Sequence, residues 1–401
     1  MTTEILVLGA GLTGSCTALE LARRGFHVVL VERDPLALNR ASLRNEGKIH
    51  LGLIYANDPS LATARLQLKG ALRFRRLLHR WLGEEADAIR TSTPFDYLVA
   101  RDSVLSPTEL AAHYEKVERL YREESANDAS LDYLGARPER LWSELSGKTW
   151  SPVYRSESFA AGFRTAERAI DTADLARLVR TALDRESRIT FLPNHAVDDV
   201  RDTGSEIEAC GRHAGDRWTI TAAQAVNATW EHRLRFDRPM GLPVPTDWLL
   251  RLKYRIIARL PPALLAAPSA TMVTGRYGDV VVRPDGTAYL SWYPAGLQGW
   301  SHNSEPPAAW DGPCRGDVPP DVRADQIERI LHAIGAWLPA IRDCQPLLVD
   351  AGAIVASGHT DVDDRTSGLH ERNRIGVTSA ARYHSVDPGK LTTAPYFANL
   401  A

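Results

Sequence analysis

The chain has the pattern of an α/β protein of two domains, and three observations predict it. An apolar run, Ile5 to Leu8, breaks into glycines at positions 9, 11 and 14 and leads into a helical stretch, Leu12 to Arg24. A second apolar run, Val28 to Val31, ends in Glu32, 21 residues past Gly11. Strand patterns then return in two textures, one from Asp171 to Thr229 and one from Leu252 to Tyr293. Strand, glycine-rich turn, helix and second strand ending in an acid make a Rossmann-like βαβ unit of the dinucleotide-binding kind. The glycines differ in what they allow. Gly9 lets the chain turn tightly, Gly11 lets the backbone approach a pyrophosphate, and Gly14 lets helix and strand pack closely. Glu32 stands where a carboxylate accepts hydrogen bonds from a ribose.

Composition sets outer bounds. At 401 residues the chain exceeds one ordinary core, so about two domains are expected. A formal net charge of −2 supplies no long-range field for nucleic acid or an anionic membrane. No apolar stretch is long enough for a membrane span, and the first strand breaks into glycines instead of a cleavage-type segment. Cys16, Cys210, Cys314 and Cys344 are scattered without a CxxC pair, against structural zinc or a disulfide framework. A cytoplasmic location is the expectation that follows.

Beyond the opening unit lies a polar loop, Asn39 to His50, and then a long helix, Pro59 to Leu82, with Leu61, Ala64, Leu68, Leu72, Leu77 and Leu78 near a 3.6-residue period. Its Arg65, Lys69, Arg73, Arg75, Arg76 and Arg80 form either an anion surface or a solvated basic face, the second being the ordinary outcome. A strand at Phe95 to Ala100 and a charged helix from Pro107 to Glu124 follow. Asp171 and Thr172 cap a helix reaching Leu183. Ile189 to Leu192 is a short buried strand, Ala196 to Val200, Glu206 to Ala209 and Trp218 to Thr221 form a meander, and Val226 to Thr229 is a strand entering a polar turn.

Tyr254 to Ala258, Asp279 to Val282 and Ala288 to Trp292 have strand character, with a Pro-Asp-Gly turn at 284 to 286, in a sheet suited to covering a substrate. Glu305 to Pro320 is expected as a surface loop and Asp321 to Leu338 as a helix, while strands at Leu347 to Val355 and Ile375 to Thr378 would complete the first domain. The domain division expected is 1–90, 165–235 and 345–401 for the nucleotide-binding part, and 91–164 and 236–344 for the substrate part.

Three separated segments then carry a likeness: the N-terminal glycine fingerprint, Arg44-Asn-Glu-Gly-Lys-Ile-His50 with Gly52 and Tyr55, and Gly389-Lys-Leu-Thr-Thr393 near the end. Together they resemble the D-amino-acid-oxidase-like FAD-dependent oxidoreductases. The middle segment is similar to the Arg-Asn-x-Gly-x-Ile-His element of 2-hydroxyglutarate oxidases, and the last to the Gly-Lys-Leu-Thr-Thr segment of glycerol-3-phosphate dehydrogenases. The resemblance implies a FAD-binding domain of the glutathione-reductase-like ββα type, carrying a second α+β substrate domain on an antiparallel sheet. It implies that Gly9, Gly11, Leu12, Thr13 and Gly14 hold the pyrophosphate at a helix start, where unpaired N–H groups and the helix dipole favour an anion. It places Glu32 on the adenosine ribose with Arg33 beside it, Val197 on the adenine through its backbone, and Thr229 near the pyrophosphate. Ser42, Arg44, Asn45, Gly47 and Lys48 would run along the ribityl chain and flavin. Gly389, Lys390, Leu391 and Thr392 would aim backbone N–H groups at the flavin's pyrimidine edge.

On the substrate side the candidates are His50, Lys48, Tyr55 and Arg382. His50 is either a general base, having the one unperturbed pKa near neutrality in its segment, or a packing and flavin-orienting histidine. Lys48 departs from the apolar residue usual there in hydroxyglutarate oxidases; it either stabilises superoxide during reoxidation or pairs with Glu46. Arg382 is either a bidentate carboxylate clamp or a surface arginine. Tyr383, His384, Tyr289, Trp292 and Tyr293 line a pocket or belong to the core. His359, Asp361, Asp363, Asp364 and His370 sit in a turn-rich loop and are not expected to hold a metal. No matched segment outside the first helix carries a cysteine, so non-covalent FAD is expected. The resulting expectation is a FAD-dependent oxidoreductase removing a hydride from a C–H next to nitrogen or oxygen of a small amine, amino acid or 2-hydroxy acid. Its electron acceptor would be O2 or another carrier. The alternatives are a NAD-dependent dehydrogenase and a non-catalytic flavin-binding subunit.

Overall fold

The computed structural model describes residues 1–401. Five strands run parallel in the first sheet, in the order Tyr383–Asp387, Asp216–Asn227, Thr2–Leu8, Val28–Val31 and Ile189–Leu192. The central strands are apolar on both faces because both faces are covered. Ile5, Val7, Val28 and Leu30 join the core shared with the helices, while Leu6, Leu8, Val29 and Val31 pack against an antiparallel meander of Ala196–Asp202, Ile207–His213 and Asp216–Asn227. The helix side holds Leu12–Arg23, Thr172–Arg185 and the terminal Ala394–Leu400. Asp171 caps the second of these, its Oδ1 accepting the N–H of Ala173 at 2.8 Å.

The second sheet has nine strands and is mainly antiparallel. One face, with Phe95, Tyr97, Val281 and Tyr289, turns to the first domain; the other, with Leu98, Val280, Leu290 and Ile256, packs on the helix Pro320–Ile334. The long helix spans Ala62–Leu82, and its basic residues are largely paired: Arg75 with Asp87 at 2.8 Å, Arg73 with Glu124 at 3.6 Å and Arg76 with Asp128 at 3.8 Å. Most of that face is thus a solvated surface of ion pairs. No helix is long and apolar enough to cross a membrane.

Three expectations are corrected. The strand expected at Leu347 to Val355 runs Gln345–Ser357 and pairs antiparallel with Trp248–Arg259, so it belongs to the second sheet and not to the first domain. Trp218 to Thr221 and Val226 to Thr229 are not separate strands with a gap, because one strand, Asp216–Asn227, runs through the first and into the second, leaving Ala228 and Thr229 in the turn. Glu305 to Pro320 is not merely a surface loop: it contains the short helix Asp311–Arg315, and buries Trp310 and Cys314 in the second core.

Candidate active site

One deep cleft runs between the two sheets, at the carboxyl ends of the parallel strands, where open α/β sheets bind ligands. Its far end is lined by Glu32, Arg33, His195 and Val197, its middle by Gly9, Gly11, Leu12, Thr13, Ser42, Asn45 and Thr229, and its near end by Lys48, His50, Tyr55, Lys253, Asp279, Tyr293 and Arg372. The turn that opens it has a backbone reason. Gly9 has φ +88°, and a Cβ on Gly14 would lie 1.9 Å from the Gly9 carbonyl oxygen, so strand and helix touch there. Gly11 faces the cleft, with only the Ser42 hydroxyl near its missing side chain.

At the far end the Glu32 carboxylate is held in place, accepting the N–H of Ala10 at 2.7 Å and of Asp34 at 3.0 Å. Arg33 donates to Glu231 at 2.9 Å and lies 2.8 Å from His232 Nε2. Burial, reinforced by Arg33 and Arg40, pushes the His232 imidazole down to about 3. In the middle, Ser42 Oγ accepts the N–H of Leu12 at 2.9 Å, and Asn45 ties its own loop by donating to the carbonyls of Ala41 and Ser42. Gly389, Lys390 and Leu391 close the cleft from the terminal segment. Thr392 stands behind them, its hydroxyl accepting the His50 N–H at 2.9 Å.

Several expected residues lie elsewhere. Arg44 does not line the cleft: it donates to the Arg315 carbonyl at 2.6 Å and stands 3.2 Å from Asp350, which Arg255 also grips at 2.6 Å. This buried cluster anchors the loop before His50 to the second sheet. Gly47 is likewise a steric position, because its φ is +77° and a Cβ would meet the Ile170 carbonyl at 2.1 Å. Arg382 does not line the cleft: it precedes Tyr383–Asp387, at the amino end of a strand parallel to Asp216–Asn227, whereas the cleft is at the carboxyl ends. Tyr383 is core, donating to Asp237 at 3.0 Å, and His384 bonds Gln224 and Ser379 outside the cleft. Tyr289 and Trp292 do not line the cleft; Tyr293 does. Lys48 pairs not with Glu46 but with Asp279 at 3.1 Å and with the Thr271 hydroxyl, its ammonium 4.0 Å above the Phe95 ring. In the loop doubted as a metal site, Asp361 holds Arg251 at 2.8 Å and Arg276 at 3.2 Å, while His370 lines the cleft.

Sequence reasoning missed Lys253, Asp279 and Arg372. For Lys253 a signal existed: Leu250, Leu252, Tyr254 and Ile256 alternate with Arg251, Lys253 and Arg255, a period of two that sends the apolar set into the core and the cations to the other face. Arg372 has its Nη1 on the Val355 carbonyl at 2.7 Å and its Nε on that of Leu369 at 3.3 Å, while Nη2 makes no hydrogen bond within the protein. Neither Arg372 nor Lys390 makes an ion pair. Both nitrogens of His50 and the hydroxyl of Tyr55 are buried without partners. Burial first, then Lys390 and Lys48, hold the His50 imidazole well below its ordinary value, so it is neutral at pH 7. Burial alone would raise the Tyr293 phenol, but Lys253, Arg251 and Lys390 outweigh it and keep it below its usual value.

The profile of the DAO family, FAD dependent oxidoreductase, matches residues 4–394. The chain belongs to this family of FAD-dependent oxidoreductases. FAD is therefore the cofactor, and the residues present suit it. Gly11 presents bare backbone to the middle of the cleft, where a Cβ would take up the space beside the Ser42 hydroxyl, the held Glu32 carboxylate stands at one end, and no cysteine lines it. Over 217 residues the chain is 32% identical to the tRNA 5-methylaminomethyl-2-thiouridine biosynthesis bifunctional protein MnmC of Burkholderia mallei. That match covers 54% of this chain and only 28% of the relative, little more than a quarter of its length. Among solved structures, glycine oxidase from Geobacillus kaustophilus superposes with a TM-score of 0.69 at 13% identity, covering 99% of this flavoenzyme and 92% of that chain. Iminodiacetate oxidase from Chelativorans sp. BNC1 gives 0.68 at 16% identity over 99% and 94% of the two chains. L-α-glycerophosphate oxidase from Mycoplasma pneumoniae, with FAD bound, gives 0.65 at 16% over 99% and 93%. These likenesses establish the fold.

Proposed function

We propose that this flavoenzyme oxidises a small organic acid at a C–H bond next to nitrogen or oxygen, the substrate being an amino acid or a 2-hydroxy acid. The observation that carries the reading is the unmatched cationic charge at the near end of the cleft. Arg372 and Lys390 have no ion-pair partner, Arg372 keeps Nη2 free, and Tyr55 presents a buried hydroxyl with no acceptor. Such a set of donors lacks acceptors, and a carboxylate supplies them. Arg372 thus takes the clamp role expected of Arg382.

In this reading Gly11, Leu12 and Thr13 hold the pyrophosphate, Glu32 the ribose, Val197 the adenine, Thr229 the pyrophosphate side, and Ser42, Asn45 and Lys48 the flavin end. The bound FAD supplies a two-electron acceptor for the hydride. The protein does the rest. Arg372 and Tyr55 orient the acid, Lys253 and Lys390 keep the near end of the cleft positive, and neutral His50 accepts the proton from the substrate's hydroxyl or amino group as the C–H pair departs. The iminodiacetate and glycerophosphate oxidases are named for small anionic molecules, which agrees with the reading, whereas MnmC is named for a tRNA modification; the likenesses do not choose the substrate.

The test is anaerobic bleaching of the flavin by glycine, iminodiacetate, proline, L-α-glycerophosphate and 2-hydroxyglutarate, with a plain alkylamine as control. Reduction by an acid, with Arg372→Ala raising KM about 10- to 100-fold and Arg382→Ala leaving it unchanged, is the expected result, since a charge-assisted hydrogen bond contributes about 1.5–3 kcal/mol. Reduction by the plain amine alone, or an Arg372→Ala protein with unchanged KM, would overturn it.

A further inference from the structure

Behind His50 stands a carboxylate that the proposed reaction does not use. Glu167 is completely buried and does not line the cleft. Its Oε1 accepts the Leu51 N–H at 2.7 Å, and its Oε2 accepts the hydroxyl of Tyr97. His50 Nδ1 lies 3.8 Å from that Oε2, and His50 Nε2 lies 3.9 Å from Glu46 Oε1 on the other side of the ring. Neither ring nitrogen has a hydrogen-bond partner.

The two carboxylates are not equivalent. Glu46 lines the cleft, its side chain is 21% exposed, and nothing bonds it. Glu167 is fixed from both oxygens by donors that do not move with a ligand, one from the backbone and one from a buried phenol. A histidine that takes a proton repeatedly needs its ring orientation and tautomer set by a group behind it, and a buried fixed carboxylate does this where an exposed mobile one does not. At 3.8 Å the pair lies just beyond hydrogen-bond length, and catalytic hydrogen bonds tighten as the reacting complex forms.

We propose that Glu167, held by Tyr97 and Leu51, is the positioning residue for His50. It receives the Nδ1–H, which leaves Nε2 bare and facing the cleft. The inference rests on the reading of His50 as the proton acceptor. The substrate's O–H or N–H proton passes to Nε2, its C–H hydrogen leaves as hydride to the flavin, and the oxidised carbon forms its double bond to oxygen or nitrogen. Nδ1 keeps its own proton, and the imidazolium formed lies between the two carboxylates. Substrate contacts are unaffected by Glu167, because it touches only the rear of the ring.

The ring-nitrogen tautomer tests the pairing without turnover. In FAD-loaded protein labelled with nitrogen-15 histidine, the His50 signals are assigned by their loss in His50→Gln. The expected result is a neutral ring protonated at Nδ1; a ring protonated at Nε2 with Nδ1 bare would overturn the proposal. Glu167→Gln is then expected to lose the Nδ1–H preference and to slow flavin reduction by the fastest acid of the panel about 10- to 100-fold at unchanged KM, with Glu167→Asp recovering part of both. A Glu167→Gln protein with wild-type tautomer and rate would equally overturn it. Reduction by His50→Gln at the wild-type rate would remove the base reading instead, so the two failures are told apart.

Discussion

A single Cβ separates two kinds of glycine in this fingerprint. At Gly14 the added carbon would meet the Gly9 carbonyl at 1.9 Å, which neither helix nor strand can relieve without moving the turn. At Gly11 it would meet only the Ser42 hydroxyl, at 3.3 Å, a contact that a shift of a few tenths of an ångström in that one side chain relieves. Gly14→Ala is expected to destabilise the protein by about 1–3 kcal/mol, as overpacking does, and to be isolated without FAD. Gly11→Ala is expected to keep its melting temperature while binding FAD more weakly; the flavin-to-protein absorbance ratio beside a thermal melt reads both. The glycines were legible because each serves the local backbone. Arg372 was not, since neighbouring sequence cannot distinguish an arginine at the carboxyl end of a sheet from Arg382 at its amino end.

At the scale of elements, the terminal segment acts on the site it does not wholly line. Thr392 fixes the His50 backbone, and Arg24, at the carboxyl end of the first helix, donates to the Asn399 carbonyl at 2.7 Å, tying the last helix to the first. A chain cut before Asp387 is therefore expected to lose FAD. The milder Thr392→Val is expected to keep its fold and flavin but reduce more slowly, and an unchanged reduction rate in stopped flow would detach the segment from the site. Helices were readable from their period, as Thr172–Arg185 with its Asp171 cap shows. Strand partners were not: alternation places a strand's two faces but names no neighbour, which is how Gln345–Ser357 came to be expected in the wrong sheet.

For the whole molecule, burial sets the response to acid. His50, His113, His232, His370 and His384 all have their imidazoles held below the ordinary value, with burial the leading cause in each. Each is neutral when folded, while the unfolded chain takes up a proton below about pH 6.5, so stability is present above that pH and is lost as pH falls toward the folded values. Glu32, Asp96 and Glu167, raised by burial, act in the opposite sense, gaining stability as pH falls through their folded values. The fully buried His50 alone is expected to remove about 1.4 kcal/mol between pH 7.5 and 5.5, so urea unfolding of His50→Gln should show a shallower loss by about that amount. Equal losses in the two proteins would mean that His50 is already charged in the fold. The sequence by itself determined the nucleotide-binding unit, the cofactor and the segments that meet at it, because turn chemistry, apolar period and a contiguous fingerprint are properties of neighbouring residues. Only the tertiary structure decided which cations line the cleft, which carboxylate stands behind His50 and which sheet owns each strand, because those depend on distances between residues over a hundred positions apart, such as His50 and Glu167.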